Sequence, residues 1–242
     1  MRRIFLVGTD TDCGKTTVAC ALLRATRARG MRALPFKPAA SGPEGAHADP
    51  ERLVDAAGIA GLTVEEICPL RYPEPVAPGL ADPGDGDMSA WTGSFKDWTA
   101  GTRSSAVLGV AAALEAAEAR YAPALTIVEG AGGLWVPMPG GTWQPAWISG
   151  LAATPVVVGR LGLGTINHCL STITALRSVG LPPCGFILTQ NVVGIDPSYQ
   201  HNEGVIAAAS ELPCLGVLAF GTGAEEHGWV RPEAWSLLGS LA

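Results

Sequence analysis

The sequence is short of charge and of aromatic side chains, at 16% and 6% of its 242 residues, and each shortage excludes something. With 48% apolar residues against so few charged ones, the chain can bury a sizeable core and is not a disordered one. It has no basic cluster, and its net charge is −6, which speaks against a nucleic-acid partner. Long apolar runs are missing, so no membrane span is expected. Arg2 and Arg3 lead only into a short apolar stretch with a charged loop behind it, so no secretory leader is expected and a cytoplasmic location is. The six cysteines (Cys13, Cys20, Cys68, Cys169, Cys184, Cys214) lack the paired spacing of a metal site. In a chain this long they read as reduced, mostly buried cytosolic thiols. Cys13 has two readings: a thiol acidified by a helix N-terminus, or a residue that need only be small. Internal repeats and low-complexity tracts are absent, and the length suits one α/β domain over residues 1–242.

Apolar runs and helical patterns alternate along most of the chain. Ile4–Val7, Ala33–Phe36, Leu125–Val128, Pro155–Val158, Gly185–Leu188 and Leu215–Ala219 read as strands. Continuous apolar runs suit a parallel sheet covered on both faces. Helical patterns fill Thr16–Arg29, Thr102–Tyr121, Thr165–Val179 and Tyr199–Glu211, with Gly30 and Gly180 placed as stops. The alternation predicts a doubly wound, mostly parallel sheet with helices on both faces. Pro69–Gly101, with Trp91 and Trp98, breaks the rhythm and reads as a long surface loop with a short helix. Trp143, Trp147, Trp229 and Trp235 lie in weakly patterned segments, as cover for the core or as an oligomer contact.

One stretch carries most of the chemistry. Thr9-Asp10-Thr11-Asp12-Cys13-Gly14-Lys15-Thr16-Thr17 follows the first strand and precedes the first helix. A strand, a tight loop ending in Gly-Lys-Thr and a helix make a P-loop, although Thr9 stands where the first glycine usually does. Successive N–H groups would wrap a phosphate, Lys15 would reach the outer phosphates, and the Thr16 hydroxyl would hold Mg²⁺.

Further clusters stand where strands should end, the place where open α/β sheets bind ligands. Lys37, with Ser41 and Gly42, would sit among phosphates and neutralise charge on a transferring phosphoryl group. Glu129, followed by Gly130-Ala131-Gly132-Gly133, is placed to ligate Mg²⁺, and the glycines let backbone approach a ligand. Gly162-Leu163-Gly164-Thr165-Ile166-Asn167-His168 runs into a helix with Thr165 as its expected N-cap and His168 as a structural histidine. Asp49 could not be told from Glu51 or Asp55 on these grounds alone.

The blocks GTDTDCGKTT, KPAASG, VEGAGGLWVP and LGLGTINH, in this order, resemble the dethiobiotin synthetase family from about Ile4 to Leu218. The resemblance implies a cytoplasmic, homodimeric, P-loop NTPase-like ligase of biotin biosynthesis. Such an enzyme turns 7,8-diaminononanoate, CO₂ and ATP into dethiobiotin through a carbamate and a carbamic–phosphoric anhydride. It implies Lys37, Lys15 and Thr11 as catalytic residues, and Thr16, Asp49 and Glu129 as ligands of the cofactor Mg²⁺. Nucleotide contacts fall to Asp12, Cys13, Gly14, Lys15, Thr16 and Thr17, with Thr189, Gln190 or Asn191 at the base. Substrate contacts fall to Thr11, Lys37, Ser41, Gly132, Gly133 and Asn167, near a dimer interface. The sequence departs from the family pattern at Asp12 (often Glu), at Ala219-Phe220-Gly221 (often with proline) and in the long Gly79–Trp98 segment. An aspartate expected after the glycine-rich block is replaced near Gln144–Trp147.

Three other readings share the P-loop. A switch protein that positions cargo by ATP-dependent dimerisation usually carries a lysine early in the loop, where this chain has Asp10 and Thr11. A cobyrinate-type amidase would need a glutaminase domain, for which no room is expected after Ala219. A divergent homologue would bind nucleotide and turn over another amine or none.

Overall fold

Strand β1 (Arg2–Gly8) is apolar on both sides because both of its faces are covered. In the computed structural model, which describes residues 2–82, 95, 97–194, 196–221 and 228–238, Ile4 and Leu6 pack to one side and Phe5 and Val7 to the other. After β1 come α1 (Lys15–Ala28), β2 (Ala33–Phe36), β3 (Ala39–Ser41), α2 (Asp49–Ala57), α3 (Val64–Ile67), β4 (Leu70–Tyr72) and α4 (Pro78–Ala81). A 3₁₀ turn (Trp98–Arg103) leads into α5 (Ser105–Tyr121), β5 (Leu125–Gly133), β6 (Pro137–Met138), β7 (Thr142–Trp143) and α6 (Gln144–Gly150). The chain continues through β8 (Thr154–Arg160), α7 (Thr165–Ser178), β9 (Phe186–Thr189), α8 (Tyr199–Ser210), β10 (Cys214–Leu218) and α9 (Ala234–Leu238).

Six strands form one parallel sheet in the order β10-β9-β8-β1-β5-β2. Chain progression reverses around β1, which lies between β5 and β8, so the carboxyl end of β1 opens into the crevice that such sheets use for ligands. Val18, Leu22, Leu53 and Trp235 from α1, α2 and α9 pack with Ile4 and Leu6. Val110 and Leu114 of α5, Trp147 of α6, Ile173 of α7 and Ile206 of α8 pack with Phe5 and Val7.

Each apolar run expected to be a strand contributes one to this sheet. The helix expected from Thr102 begins instead at Ser105, because Ser104 Oγ accepts from the Val107 N–H at 3.2 Å and caps it there. Thr165 is not an N-cap. Gly164, at φ 92°, takes that position, and the Thr165 side chain is buried against Cys169 Sγ at 3.5 Å. The Pro69–Gly101 stretch holds more order than a loop: β4 pairs with β3, and α4 starts at Pro78, a position where the missing N–H costs nothing. Trp91 falls outside the described residues. Trp147 is fully buried with its indole N–H donated to Thr142 Oγ1 at 2.7 Å, and Trp235 is buried as well, so both serve the core. Among the described residues no helix is long and apolar enough to cross a membrane.

All six cysteines are free. Burial pushes the thiols of Cys20, Cys169 and Cys214 up to about 11 and that of Cys68 up to about 12. Since the thiolate is the reactive form, native protein at pH 8 is expected to take up no more than one iodoacetamide label, at the half-buried Cys184. Mass spectrometry before and after denaturation checks this, and rapid native labelling of several thiols would contradict it.

Candidate active site

The loop between β1 and α1 is held from two sides. On one, the Thr9 N–H donates to the Val158 carbonyl of β8 at 2.9 Å. On the other, Asn191 Nδ2 donates to the Asp12 carbonyl at 3.0 Å, and Thr189 packs beneath Gly14. Gly14, at φ 95°, turns the chain into α1, whose first hydrogen bond runs from the Val18 N–H to its carbonyl at 2.9 Å. Gly8 answers the question of the displaced first glycine. A Cβ on it would lie 2.6 Å from the Gly132 carbonyl oxygen and 2.7 Å from both the Asp10 carbonyl oxygen and Lys15 Nζ. Gly8→Ala is therefore expected to destabilise the protein by about 1–3 kcal/mol, as overpacking does, and to weaken ATP binding about tenfold or more. Thermal denaturation and calorimetric titration with ATP check both, and wild-type affinity would contradict the close approach.

Lys15 is buried, and its Nζ donates to the Asp10 carbonyl at 3.1 Å, inside the curl of the loop. Cys13 is buried beside it, with its sulfur 4.0 Å from Nζ. Opposite, Lys37 follows β2 and is 4% exposed. Its Nζ donates to Asp49 Oδ2 and to Glu129 Oε1, each at 2.7 Å. Burial works against the charge on Lys37, but Glu129 and Asp49 outweigh it and hold the ammonium above its ordinary range. Burial likewise works to raise Asp49, and the Lys37 ammonium and the Thr16 hydroxyl overcome it and hold the carboxyl below its ordinary range. Thr16 Oγ1 stands 2.8 Å from Asp49 Oδ1 and 2.7 Å from Glu129 Oε1. A hydroxyl has one proton, so only one of these contacts is a hydrogen bond at a time. Glu129 is 1% exposed and its Oε2 has no hydrogen-bond partner.

These groups share a cleft of about 760 Å³ lined by Thr11, Asp12, Gly14, Lys15, Thr16 and Thr17 from the loop and its helix, and by Lys37, Ser41, Asp49, Glu129, Gly132 and Asn191. The remaining expected site residues stand elsewhere. Gly133 pairs with Gly8 in the sheet, and Thr189 is buried under the loop. Gln190 donates to the Val192 and Gly194 carbonyls at 3.2 and 2.7 Å, holding its own loop. Asn167 is exposed on α7, outside the cleft. The cleft also takes in Val136, from the VEGAGGLWVP block, and Arg52, Pro75, Val76, Ala77 and Pro78, which the sequence did not single out. Arg52 follows Asp49 by three residues on a helix, a spacing that puts both on one face once the helix is recognised.

A parallel sheet with a Gly-Lys-Thr loop at its switch point and an acid at the end of the adjacent strand defines a P-loop nucleotide-binding protein. In agreement, residues 2–223 match the family model described as an AAA domain. The chain is 39% identical over 220 residues to the ATP-dependent dethiobiotin synthetase BioD of Anaeromyxobacter dehalogenans strain 2CP-C, covering 90% of each chain. It is 35% identical to the synthetase of the same name from Cellvibrio japonicus, over 90% of this chain and 89% of that one. The chain belongs to the dethiobiotin synthetase family. Among solved structures it resembles the signal recognition particle 54 kDa protein of Aeropyrum pernix, at TM-score 0.56 and 18% identity, over 98% of this chain and 46% of that one. Chloroplast FtsY of Physcomitrella patens follows at TM-score 0.52 and 16% identity, over 93% of this chain and 60% of that one. Both likenesses concern the fold.

Proposed function

We propose that this chain is an ATP-dependent ligase that carboxylates 7,8-diaminononanoate with CO₂ and closes the cyclic urea of dethiobiotin. One observation carries the reading: Lys37, locked between Asp49 and Glu129, faces the P-loop lysine and Thr16 across a single cleft. The family membership names the substrates that such a cleft would serve.

The chemistry balances as follows. One amine forms an N–C bond to CO₂ and loses a proton, giving a carbamate. A carbamate oxygen then bonds to the γ-phosphorus of ATP while the bond to the β–γ bridging oxygen breaks, giving ADP and a carbamic–phosphoric anhydride. The second amine forms its N–C bond and gives up a proton, the carbonyl C–O bond breaks, phosphate leaves with that proton, and the ring closes. A carbamate is a poor electrophile until its oxygen becomes a phosphate leaving group, and phosphoryl transfer asks chiefly for position and charge neutralisation. Lys15 and Lys37 supply the positive charge, Thr11 and Ser41 offer hydroxyls to the diamine or its carbamate, and Asp12–Thr17 receive the phosphates. The amines are proposed to react in their free-base form, without a dedicated protein base.

A hard cation fits the residues present. Asp49 Oδ1 and Glu129 Oε1 each stand within hydrogen-bond distance of Thr16 Oγ1, and Glu129 Oε2 is buried without a hydrogen-bond partner. Two carboxylates and a hydroxyl suit Mg²⁺, which takes its remaining ligands from water and substrate phosphates. Bound there, Mg²⁺ supplies positive charge to the phosphate oxygens. Treatment with EDTA is expected to abolish turnover, and excess MgCl₂ to restore it. Full activity in EDTA would contradict this ligand set.

The chain is further proposed to act as one domain in a cytoplasmic homodimer. Leu163 is 87% exposed and Asn167 is exposed nearby, so a substrate contact by Asn167 is assigned to a dimer interface. Sedimentation at micromolar concentration checks the dimer, and a monomer throughout would remove that role for Asn167. For the activity itself, protein, MgATP, bicarbonate and diamine are expected to yield ADP and a cyclic urea identified by mass. Diamine-independent ATP hydrolysis with no urea would overturn the reading.

A further inference from the structure

Gln144 opens α6, is fully buried, and commits both halves of its amide to the glycine-rich end of β5. Its Oε1 accepts from the Ala131 N–H at 2.8 Å, and its Nε2 donates to the Gly133 carbonyl at 2.8 Å. These partners fix the amide orientation, since a flip would set nitrogen against N–H and oxygen against C=O. Gly132 stands between the two anchored residues and lines the cleft. Its carbonyl oxygen lies on the same side of Gly8 as Lys15 Nζ. The backbone N–H of Gln144 donates to the Val136 carbonyl at 3.3 Å, which ties a second cleft-lining residue to the same anchor. Gly130 leaves the space, because a Cβ there would lie 2.7 Å from Gln144 Oε1.

We propose that Gln144 is a positioning residue that clamps Ala131–Gly133 from behind and thereby fixes how Gly132 and Val136 meet the diamine substrate. The proposal rests on the reading of this segment as substrate-binding. Ala-Gly-Gly has almost no side chain of its own to hold a shape, and glycine is the least constrained residue. Its inward-facing N–H and C=O still require partners. A primary amide offers one donor side and one acceptor side at the spacing needed, and no other side chain of this length does. Glutamate would accept from Ala131 but set an oxygen against the Gly133 carbonyl. Methionine matches the length and pairs with neither.

The test is steady-state kinetics of full-length Gln144→Met and Gln144→Glu with each substrate varied in turn. For Gln144→Met the KM for the diamine is expected to rise about tenfold or more, while the KM for ATP stays within about twofold. Gln144→Glu, which keeps one of the two bonds, is expected to fall between it and wild type. A residue that only filled the core would lower the melting temperature and the active fraction and leave both KM values alone. An unchanged diamine KM in a folded variant overturns the proposal. Amide exchange in the wild type gives a second arm that needs no variant: the Ala131 N–H is expected to exchange at least a hundredfold more slowly than an open loop amide. Exchange at the open-loop rate overturns the clamp. A wild type without diamine-dependent turnover would sink the substrate reading instead, and the exchange arm would still judge the clamp.

Discussion

Lys37→Met is expected to lower kcat about a thousandfold while leaving the KM for ATP nearly unchanged. Removing one preorganised charge from the path of a transferring group costs about 10²–10³ in rate, and Lys37 is assigned to the phosphoryl group in flight. A contact made only in the transition state appears in kcat. The same change also strands Asp49 and Glu129, now each 2.7 Å from the ammonium. Breaking a buried ion pair costs about 3–5 kcal/mol, and this case belongs toward the low end because the Asp49 side chain is 41% exposed. The pH dependence follows from the two shifts. Asp49 has a depressed folded pKa, so its contribution is present above its ordinary value of 3.8 and is lost as the pH falls through the folded value. Lys37 has a raised folded pKa, so its contribution is complete below its ordinary value of 10.5 and is lost only at higher pH. In EDTA, the stability deficit of Lys37→Met should therefore be largest between these two values and shrink on acidification, as the stranded carboxylates take up protons. Urea denaturation across pH measures it. A variant with kcat within tenfold of wild type would remove Lys37 from the mechanism.

Lys15→Met is the instructive contrast. It makes the same substitution at a second buried lysine, yet Lys15 hydrogen-bonds to the Asp10 carbonyl and Cys13 and, among the described residues, to no carboxylate. Nothing charged is stranded, so its stability should stay within about 1 kcal/mol of wild type. Its loss should fall on ATP: kcat/KM for ATP down about a thousandfold, with the affinity itself weakened, since the lysine meets phosphate both before and during transfer. The KM for the diamine should barely move. Calorimetric titration with ATP and steady-state kinetics check this, and undiminished ATP affinity would contradict the phosphate role of Lys15.

These two lysines also mark how much the sequence could tell. The P-loop is local, so its chemistry was legible from consecutive residues. The strands were legible because both faces of the sheet are covered, which leaves each as an unbroken apolar run. What joins Lys37 to Asp49 and Glu129 is long-range, and no spacing rule reports it. Asp49, Glu51 and Asp55 look alike in sequence, and the fold sorts them. Glu51 pairs with Arg71 at 2.7 Å, Asp55 with Arg24 at 3.6 Å, and Asp49 alone of the three lines the active cleft. Thr165 misled because a left-handed glycine can begin a helix without a side-chain cap. Gln144 gave no signal, since one glutamine in a weakly patterned segment shows nothing of the backbone it will clamp.

The claim at the centre of this account is that the cleft phosphorylates a carbamate made from CO₂ and a substrate amine. Turnover with MgATP, diamine and ¹⁸O-labelled bicarbonate, sampled before the label exchanges with water, tests it directly. The account predicts one labelled oxygen in the phosphate released and one in the ureido carbonyl of the product. Phosphate free of label, formed alongside the cyclic urea or without it, would contradict it.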